Sequence, residues 1–166
     1  MKKWFSKFFA EMHPQSRNAF LMAMITVVGV SFTDIYVFYL IARIDDWQVV
    51  ALAGALSFFV LIAALSAILA RRKYPASVSA LVLFGGFSIM ALVSSVILAG
   101  VGRIILAASI ILITTGAGLT LSRKMAPPTI ITGIVVGIIA LLIDFFVPAY
   151  QLAVLKRTTY SWLHFL

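Results

Sequence analysis

Two carboxylates and one arginine are the groups in this sequence best suited to chemistry inside an apolar helix. Asp34 lies in the run SFTDIYVFYL, Asp144 lies in LLIDFF, and Arg103 opens another apolar run. A charged side chain at the centre of a bilayer costs about 2.5–3.5 kcal/mol on insertion scales, so it must be paired, protonated or used. At a helical rise of about 1.5 Å per residue, Asp34 lies roughly 12 Å and Asp144 roughly 7 Å from the nearer end of its run. We therefore predict a cluster of Asp34, Arg103 and Asp144 that ties three helices together at one level.

Two functional alternatives to this structural cluster stay open. One carboxylate could sense a ligand, a cation or a proton from the outer side, because ionisable groups inside a membrane are functional candidates by default. A carboxylate could also serve transport, but a transport path needs polar groups at several depths. The inner halves of the apolar runs offer only hydroxyls, such as Thr26, Ser66, Thr114 and Thr115. The sequence therefore favours the structural cluster over sensing, and sensing over transport.

The rest of the sequence lacks the usual motifs of enzymes and cofactor sites. It contains no cysteine, which excludes disulfides, thiolate metal sites and thiol nucleophiles. His13 and His164 lie outside the apolar runs near opposite surfaces, so they cannot together ligate one haem within a single chain. Neither the glycine-rich phosphate-binding motifs nor the HExxH zinc motif occurs. We predict no catalytic residue, no metal site and no cofactor.

Five apolar runs must position these groups. With 63% hydrophobic and 11% charged residues, the composition is that of an integral membrane protein. Each run is long enough to cross the bilayer as a helix, and none alternates as a barrel strand would. The prediction is an all-α, five-transmembrane-helix bundle within residues 15–150. Its spans are 19–42, 48–70, 77–100, 103–122 and 128–149.

Lysine and arginine are distributed unevenly between the two sides of this bundle. If the N-terminus is cytoplasmic, nine of the 13 basic residues face the cytoplasm and four face outward. The nine are Lys2, Lys3, Lys7, Arg17, Arg71, Arg72, Lys73, Arg123 and Lys124, and the four are Arg43, Arg103, Lys156 and Arg157. This bias predicts a multi-pass protein of the inner membrane with a cytoplasmic N-terminus. It also explains the net charge of +8 better than nucleic-acid binding does.

The two ends of the chain are expected to lie at the membrane surface. Residues 1–14 place aromatic and basic side chains at helical spacing, which predicts a short amphipathic helix that Pro14 ends. Its anchors are Lys2, Lys3, Trp4, Lys7 and Phe8. A docking helix for a partner protein is the alternative. Residues 151–166 are either an outer interfacial tail or the start of a truncated sixth span.

Glycines within the spans indicate close helix packing. Gly133 and Gly137 form a GxxxG motif, and further candidates are Gly85, Gly86, Gly116 and Gly118. Small residues at this spacing let two membrane helices approach closely. Packing within the monomer is the favoured interpretation, and packing against other subunits or in a homo-oligomer is the alternative. The lipid bilayer is the remaining expected partner.

Three segments of the chain resemble one known class of membrane module. They are ILARRKYPASVSALVLFGG, AGVGRIIL and LSRKMAPPTIITGIVVGIIALLIDFFVPAY. Together they resemble the N-terminal multi-span modules found ahead of HAMP, GAF, PAS and kinase domains in some bacterial sensor proteins, over roughly residues 17 to 150. The resemblance implies a non-catalytic sensing and anchoring module of a signal-transduction protein, normally followed by a further span and cytoplasmic signalling domains.

Two other functions are compatible with the sequence. The first is a small structural or accessory subunit of a larger respiratory or photosynthetic membrane complex, which would use its glycine-rich faces to contact neighbours. The second is a small transporter, which would need one of the intramembrane carboxylates.

Overall fold

Five helices make up the part of the chain that the computed structural model describes, which is residues 12–42, 47–72, 74–98 and 101–146, without the side chains at 101, 102 and 104. The helices are α1 (Pro14–Ile41), α2 (Trp47–Arg71), α3 (Ala76–Ile97), α4 (Val101–Thr120) and α5 (Ala126–Phe146). No strand occurs within these ranges. The prediction of an all-α fold is confirmed.

Length and composition make this bundle a membrane protein. Helices α1, α2, α3 and α5 are each long and apolar enough to cross a membrane, and α4 contributes a shorter apolar helix, Ile105–Thr120. The predicted surface helix with Lys2, Lys3, Trp4, Lys7 and Phe8 lies outside the described residues, as does the C-terminal stretch 151–166.

Prolines mark the starts of two helices. Pro14 occupies the first turn of α1, so α1 begins ahead of the apolar run predicted from residue 19. Pro127 and Pro128 lie in the first turn of α5. The first turn tolerates proline because its backbone N–H groups have no partner within the helix. Both helices therefore begin in polar or proline-containing sequence and become apolar within about a turn.

Short connections reverse the chain between consecutive helices. The start of α1, the α2–α3 connection and the end of α4 consequently meet at one end of the bundle, where they line a shared cleft. We call this the basic end, because its described residues include Arg17, Arg71, Arg72, Arg123 and Lys124. The end of α1 and the starts of α2 and α4 lie at the opposite end.

Helix α3 is the centre of the bundle. It packs against α1, α2, α4 and α5, whereas the most extensive pairwise contacts are those of α1 with α2 and of α4 with α5. Two helix pairs therefore flank α3. Because α3 has neighbours on several sides, small and apolar residues such as Ala80, Leu83 and Ala91 are buried on several of its faces.

Large apolar side chains cover the outside of the bundle. Ile25 and Phe32 of α1 are each 71% exposed, and Phe145 of α5 is 80% exposed. Soluble monomers rarely present apolar surface on this scale. The interior is built instead from small side chains, among which alanine is the commonest and serine is frequent. Membrane helices pack in this way because small residues allow their backbones to approach.

The glycines divide into packed and open positions. A Cβ built on Gly133 would lie 2.5 Å from Cδ1 of Ile113, so this GxxxG face packs on α4 of the same chain. Gly86 similarly faces Ile62 of α2, and Gly116 faces Met22 and Phe84. Gly85 and Gly118 have nothing within 4 Å of an added Cβ. Packing within the monomer therefore uses four of the six glycines singled out from the sequence, namely Gly86, Gly116, Gly133 and Gly137.

A pair of serines joins α2 to α3 near the basic end. The hydroxyl of Ser66 donates to the backbone carbonyl of Ser79 over 2.8 Å, and the hydroxyl of Ser79 donates to the carbonyl of Ser66 over 2.7 Å. The two hydroxyl oxygens are 3.0 Å apart, and both residues are fully buried. The reciprocal bonds satisfy both hydroxyls between the helices, which fixes the register of α2 on α3.

Replacing Gly137 by Ala is expected to destabilise the bundle. The new Cβ would lie 2.8 Å from Cδ1 and 3.1 Å from the backbone Cα of Leu106. The side chain can turn away but the backbone cannot, and overpacking of this kind typically costs about 1–3 kcal/mol. Gly118→Ala is the matched control, because its site is open and Ala is favoured over Gly in a helix by about 0.5–1 kcal/mol. Unfolding in detergent micelles measures both variants, and equal stability would contradict the close approach of α4 and α5.

Ser66→Ala and Ser79→Ala are expected to lower the free energy of unfolding non-additively. Each hydroxyl donates to the backbone carbonyl of the other residue, and the two hydroxyl oxygens are 3.0 Å apart, so the two residues are close enough to couple. Interhelical side-chain hydrogen bonds in membranes average about 0.6 kcal/mol and reach about 1.7 kcal/mol. A double-mutant cycle in detergent micelles measures this coupling. Ser88→Ala is the control, since Ser88 donates to the carbonyl of Phe84 in its own helix. Additive effects of the two alanines would count against the serine pair.

Candidate functional site

The candidate site is the carboxylate of Asp34, which lies between α1 and α2. The hydroxyl of Ser57 donates to Oδ2 of Asp34 over 2.7 Å. The other oxygen, Oδ1, is buried and has no hydrogen-bond partner. The hydroxyl of Ser57 is therefore the neutral donor that joins the two helices here, and Oδ1 can still accept a hydrogen bond.

The antiparallel pairing of α1 and α2 brings Asp34 and Ser57 together. The connection between the two helices is only a few residues long, so positions at similar distances from it face each other. Val37, Val49, Ala53 and Leu56 form a buried apolar cluster between the helices toward this connection. Asp34 lies about one turn beyond Val37, and Ser57 directly follows Leu56. The hydrogen bond from Ser57 to Asp34 therefore lies next to this apolar cluster, on the side away from the connection.

The structure does not bring Asp34, Arg103 and Asp144 together as the predicted cluster. Neither oxygen of Asp34 accepts a hydrogen bond from Arg103, whose side chain is exposed. Asp144 is half-buried near the end of α5 and has its own interaction. The physical reason is the order of packing, because α1 lies mainly on α2 and is not among the close neighbours of α5. The group that donates to Asp34 is a hydroxyl on the adjacent helix.

Ser57 is the partner that sequence reasoning missed. It lies in the segment GALSFF, where it is the one polar residue. The signal that identifies it is its distance from the α1–α2 connection, which is similar to that of Asp34 on the other helix. This signal becomes useful only once the two helices are known to pair.

The electrostatics of the site differ from those of an ion pair. A hydroxyl provides one hydrogen bond but no positive charge, so it does not neutralise a carboxylate in an apolar medium. Towards the same end of the bundle, the titratable side chains of the described residues are Tyr36, Tyr39, Arg103 and Asp144, while α2 and α3 contribute none there. The free oxygen of Asp34 can take a proton, a cation or a hydrogen-bond donor.

Other hydroxyls in the described helices are mostly used locally. Thr26, Ser88 and Thr120 each donate to the carbonyl four residues earlier in their own helix. The buried hydroxyl of Ser109 has no hydrogen-bond partner, but it lies in the tight contact between α4 and α5 beside Gly137. These groups do not continue the polar contact of Asp34 towards the basic end.

No metal-ligating group accompanies the carboxylate. The described residues contain no cluster of three or more His, Asp or Glu side chains that could hold a metal ion. His13 lies at the basic end, and His164 is outside the described residues. No protein-family model, curated protein sequence or solved structure matches this chain. The resemblance to sensor modules therefore stays a prediction.

Ser57→Ala is expected to destabilise the pairing of α1 and α2, because it leaves the carboxylate of Asp34 without its donor. Loss of one partner from a buried hydrogen bond costs about 1–3 kcal/mol. Asp34→Asn should be tolerated, since the amide oxygen can accept from Ser57 and no charge is left. Equilibrium unfolding in detergent micelles compares these variants.

The double variant Asp34→Leu with Ser57→Ala supplies the control for this experiment. Removal of both polar partners leaves no unsatisfied group and is often nearly neutral. If Ser57→Ala lowers stability equally in the wild-type and Asp34→Leu backgrounds, the loss comes from packing and the hydrogen bond is not its cause.

Proposed function

We propose that this chain is the membrane-embedded sensing and anchoring module of a bacterial signal-transduction protein and is not catalytic by itself. In this proposal it lies in the inner membrane with its N-terminus and basic end on the cytoplasmic side. The observation that carries the proposal is the half-satisfied carboxylate of Asp34, with Oδ2 bonded to Ser57 and Oδ1 buried without a partner. A passive anchor has no use for such a group, whereas a sensor needs a site whose bonding can change.

Helix α1 is suited to pass a change at Asp34 to the basic end. Although its contact with α2 is extensive, only Ala19, Ala23 and Val37 of its 28 residues are buried, so few buried side chains hold it in place. Regions with few buried contacts open or shift at low free-energy cost. Asp34 follows the first residue of α1 by 20 positions, a span of about 30 Å along the axis. Altered bonding at Asp34 would shift α1 against α2, and a cytoplasmic partner or domain would read the shift at the basic end.

The proposal predicts that a change in the bonding of Asp34 alters the spacing of α1 and α2 near the basic end. The chain has no cysteine, so spin labels can be attached at Leu21→Cys and Leu65→Cys without background. In lipid nanodiscs, the distance between the labels should differ between the wild-type and Asp34→Asn backgrounds. The amide keeps the shape of the side chain but replaces one carboxylate oxygen by a hydrogen-bond donor.

A second label pair controls for general effects of the substitution on the bundle. Val78→Cys on α3 and Ile131→Cys on α5 lie on helices other than α1 and have exposed side chains. Their separation should be the same in the wild-type and Asp34→Asn backgrounds. An α1–α2 distance that Asp34→Asn leaves unchanged would exclude Asp34 as the sensing group.

The open glycines support a second candidate function, a structural or accessory subunit of a larger membrane complex. Gly29, Gly54, Gly85 and Gly118 have no atom within 4 Å of an added Cβ, so they leave small-residue surfaces on the outside of the bundle. Other membrane helices could approach closely there. Stoichiometric co-purification with the proteins of one complex after mild solubilisation, lost in a Gly118→Leu variant, would favour this function over sensing.

A further inference from the structure

A polar cleft opens at the basic end of the bundle. Its volume is about 330 Å³, which lies within the range of about 300–1,000 Å³ typical of small-molecule sites. Three separate segments line it, namely the start of α1, the α2–α3 connection with the start of α3, and the end of α4. The polar lining residues are His13, Gln15, Ser16, Tyr74, Ser77, Thr120 and Ser122. The hydroxyl of Thr120 already donates to the carbonyl of Gly116. Such a convergence of neutral donors is unusual in a chain that is otherwise so apolar.

Basic residues stand directly beside the lining of the cleft. Arg17 follows Ser16 on α1, and Arg123 follows Ser122 after α4. Consecutive Cα atoms are about 3.8 Å apart, so the backbone of each arginine lies close to the lining. The acidic residues of the described part, Asp34 and Asp144, both lie towards the opposite end. The charged residues described near the cleft are therefore basic, and an anion is the ligand that they favour.

The donors of the cleft match the phosphate group in particular. Phosphate oxygens accept several hydrogen bonds at once, and hydroxyl, amide and imidazole groups can supply them around a single centre. The backbone starts of α1 and α3 add to this, because neither His13 nor Pro75 provides a side-chain cap for the amides that follow. A carboxylate ligand would use fewer of these donors. Basic pockets between membrane helices at this depth are also placed to meet lipid headgroups.

We propose that this cleft binds a phosphate group, carried by an anionic lipid headgroup or by a soluble phosphate compound. The cleft does not include Asp34, which lies towards the opposite end of α1. The phosphate is held by the hydroxyls of Tyr74, Ser77 and Ser122, and Arg17 and Arg123 neutralise its charge at the rim. Its occupancy ties the start of α1 to the α2–α3 connection and to the end of α4.

Native mass spectrometry of the delipidated full chain tests this proposal. The probes are phosphatidylglycerol, phosphatidylcholine and inorganic phosphate, each added to the protein in neutral detergent. Wild-type protein should retain phosphatidylglycerol in preference to phosphatidylcholine if a lipid is the source. It should bind inorganic phosphate without preference between the lipids if a soluble compound is the source. Phosphatidylglycerol that inorganic phosphate displaces would show that one site accepts both.

Two variants probe the donors and the charges separately. Tyr74→Phe with Ser77→Ala removes two donors at constant charge and should weaken phosphate or phosphatidylglycerol binding at least about tenfold, the usual effect of one lost hydrogen bond to a charged group. Arg17→Gln with Arg123→Gln should weaken it further and reduce its salt dependence. Arg103→Gln removes a positive charge at the opposite end and should bind like the wild type.

The variants must keep their fold for this comparison, which circular dichroism and thermal unfolding establish. Ser122→Ala provides a second donor variant if the first one unfolds, because Ser122 is exposed and lies after the end of α4. Equal retention of the two lipids together with no binding of inorganic phosphate overturns the proposal. So does binding that the cleft variants leave unchanged, or that Arg103→Gln weakens as much as Arg17→Gln with Arg123→Gln.

Discussion

Close approach of helix backbones is the interaction on which this bundle depends. Lipid tails are as apolar as leucine side chains, so burial of large apolar residues does not drive helices together inside a membrane. Dispersion contacts and hydrogen bonds between backbones in near contact must do so instead. This is why alanine, serine and glycine occupy the interior while phenylalanine and isoleucine cover the exterior. The position of α3, in contact with all four other helices, requires small residues on more than one of its faces, and Gly86 and Ala91 provide them.

The same constraint decides what a polar group in the bundle can bond to. When helices lie this close, the partner of a buried side chain is whatever the adjacent helix presents at the same level. Ser66 meets another serine and both are satisfied. Asp34 meets Ser57 and is satisfied at one oxygen only. A serine hydroxyl is the donor in both contacts. In the serine pair both hydroxyls have an acceptor, whereas in the contact of Ser57 with Asp34 the oxygen Oδ1 has no donor. This one carboxylate oxygen without a donor distinguishes the candidate sensing site from the structural contact.

The helices themselves could be predicted from the sequence, because length and apolar composition alone define a membrane helix. The partners between helices could not, because they depend on which helices are neighbours and on the rotation of each about its axis. Charge and depth in the membrane favoured Arg103 as the partner of Asp34. Because α1 packs mainly on α2, the group that donates to Asp34 is instead the hydroxyl of Ser57. Gly85 and Gly86 show the effect of rotation, since consecutive residues of a helix point about 100° apart. Gly85 is open, whereas Gly86 lies in close contact with Ile62. The cleft at the basic end combines residues from three segments, so no single motif indicates it.

The two ends of the bundle have opposite chemistry, and α1 connects them. The basic residues on which the predicted orientation depends are also those that lie near the cleft, so the predicted orientation and the proposed anion binding would have one physical cause. Asp34 lies towards the other end of the same helix. No proline interrupts α1 after its first turn, and a continuous helix transmits a displacement along its axis with little loss. An anion that holds the start of α1 in the cleft would therefore resist the shift that altered bonding at Asp34 favours. If both proposals hold, the occupancy of the cleft and the bonding of Asp34 would be coupled through the rigidity of one helix, and by linkage each would change the free energy of the other by the same amount.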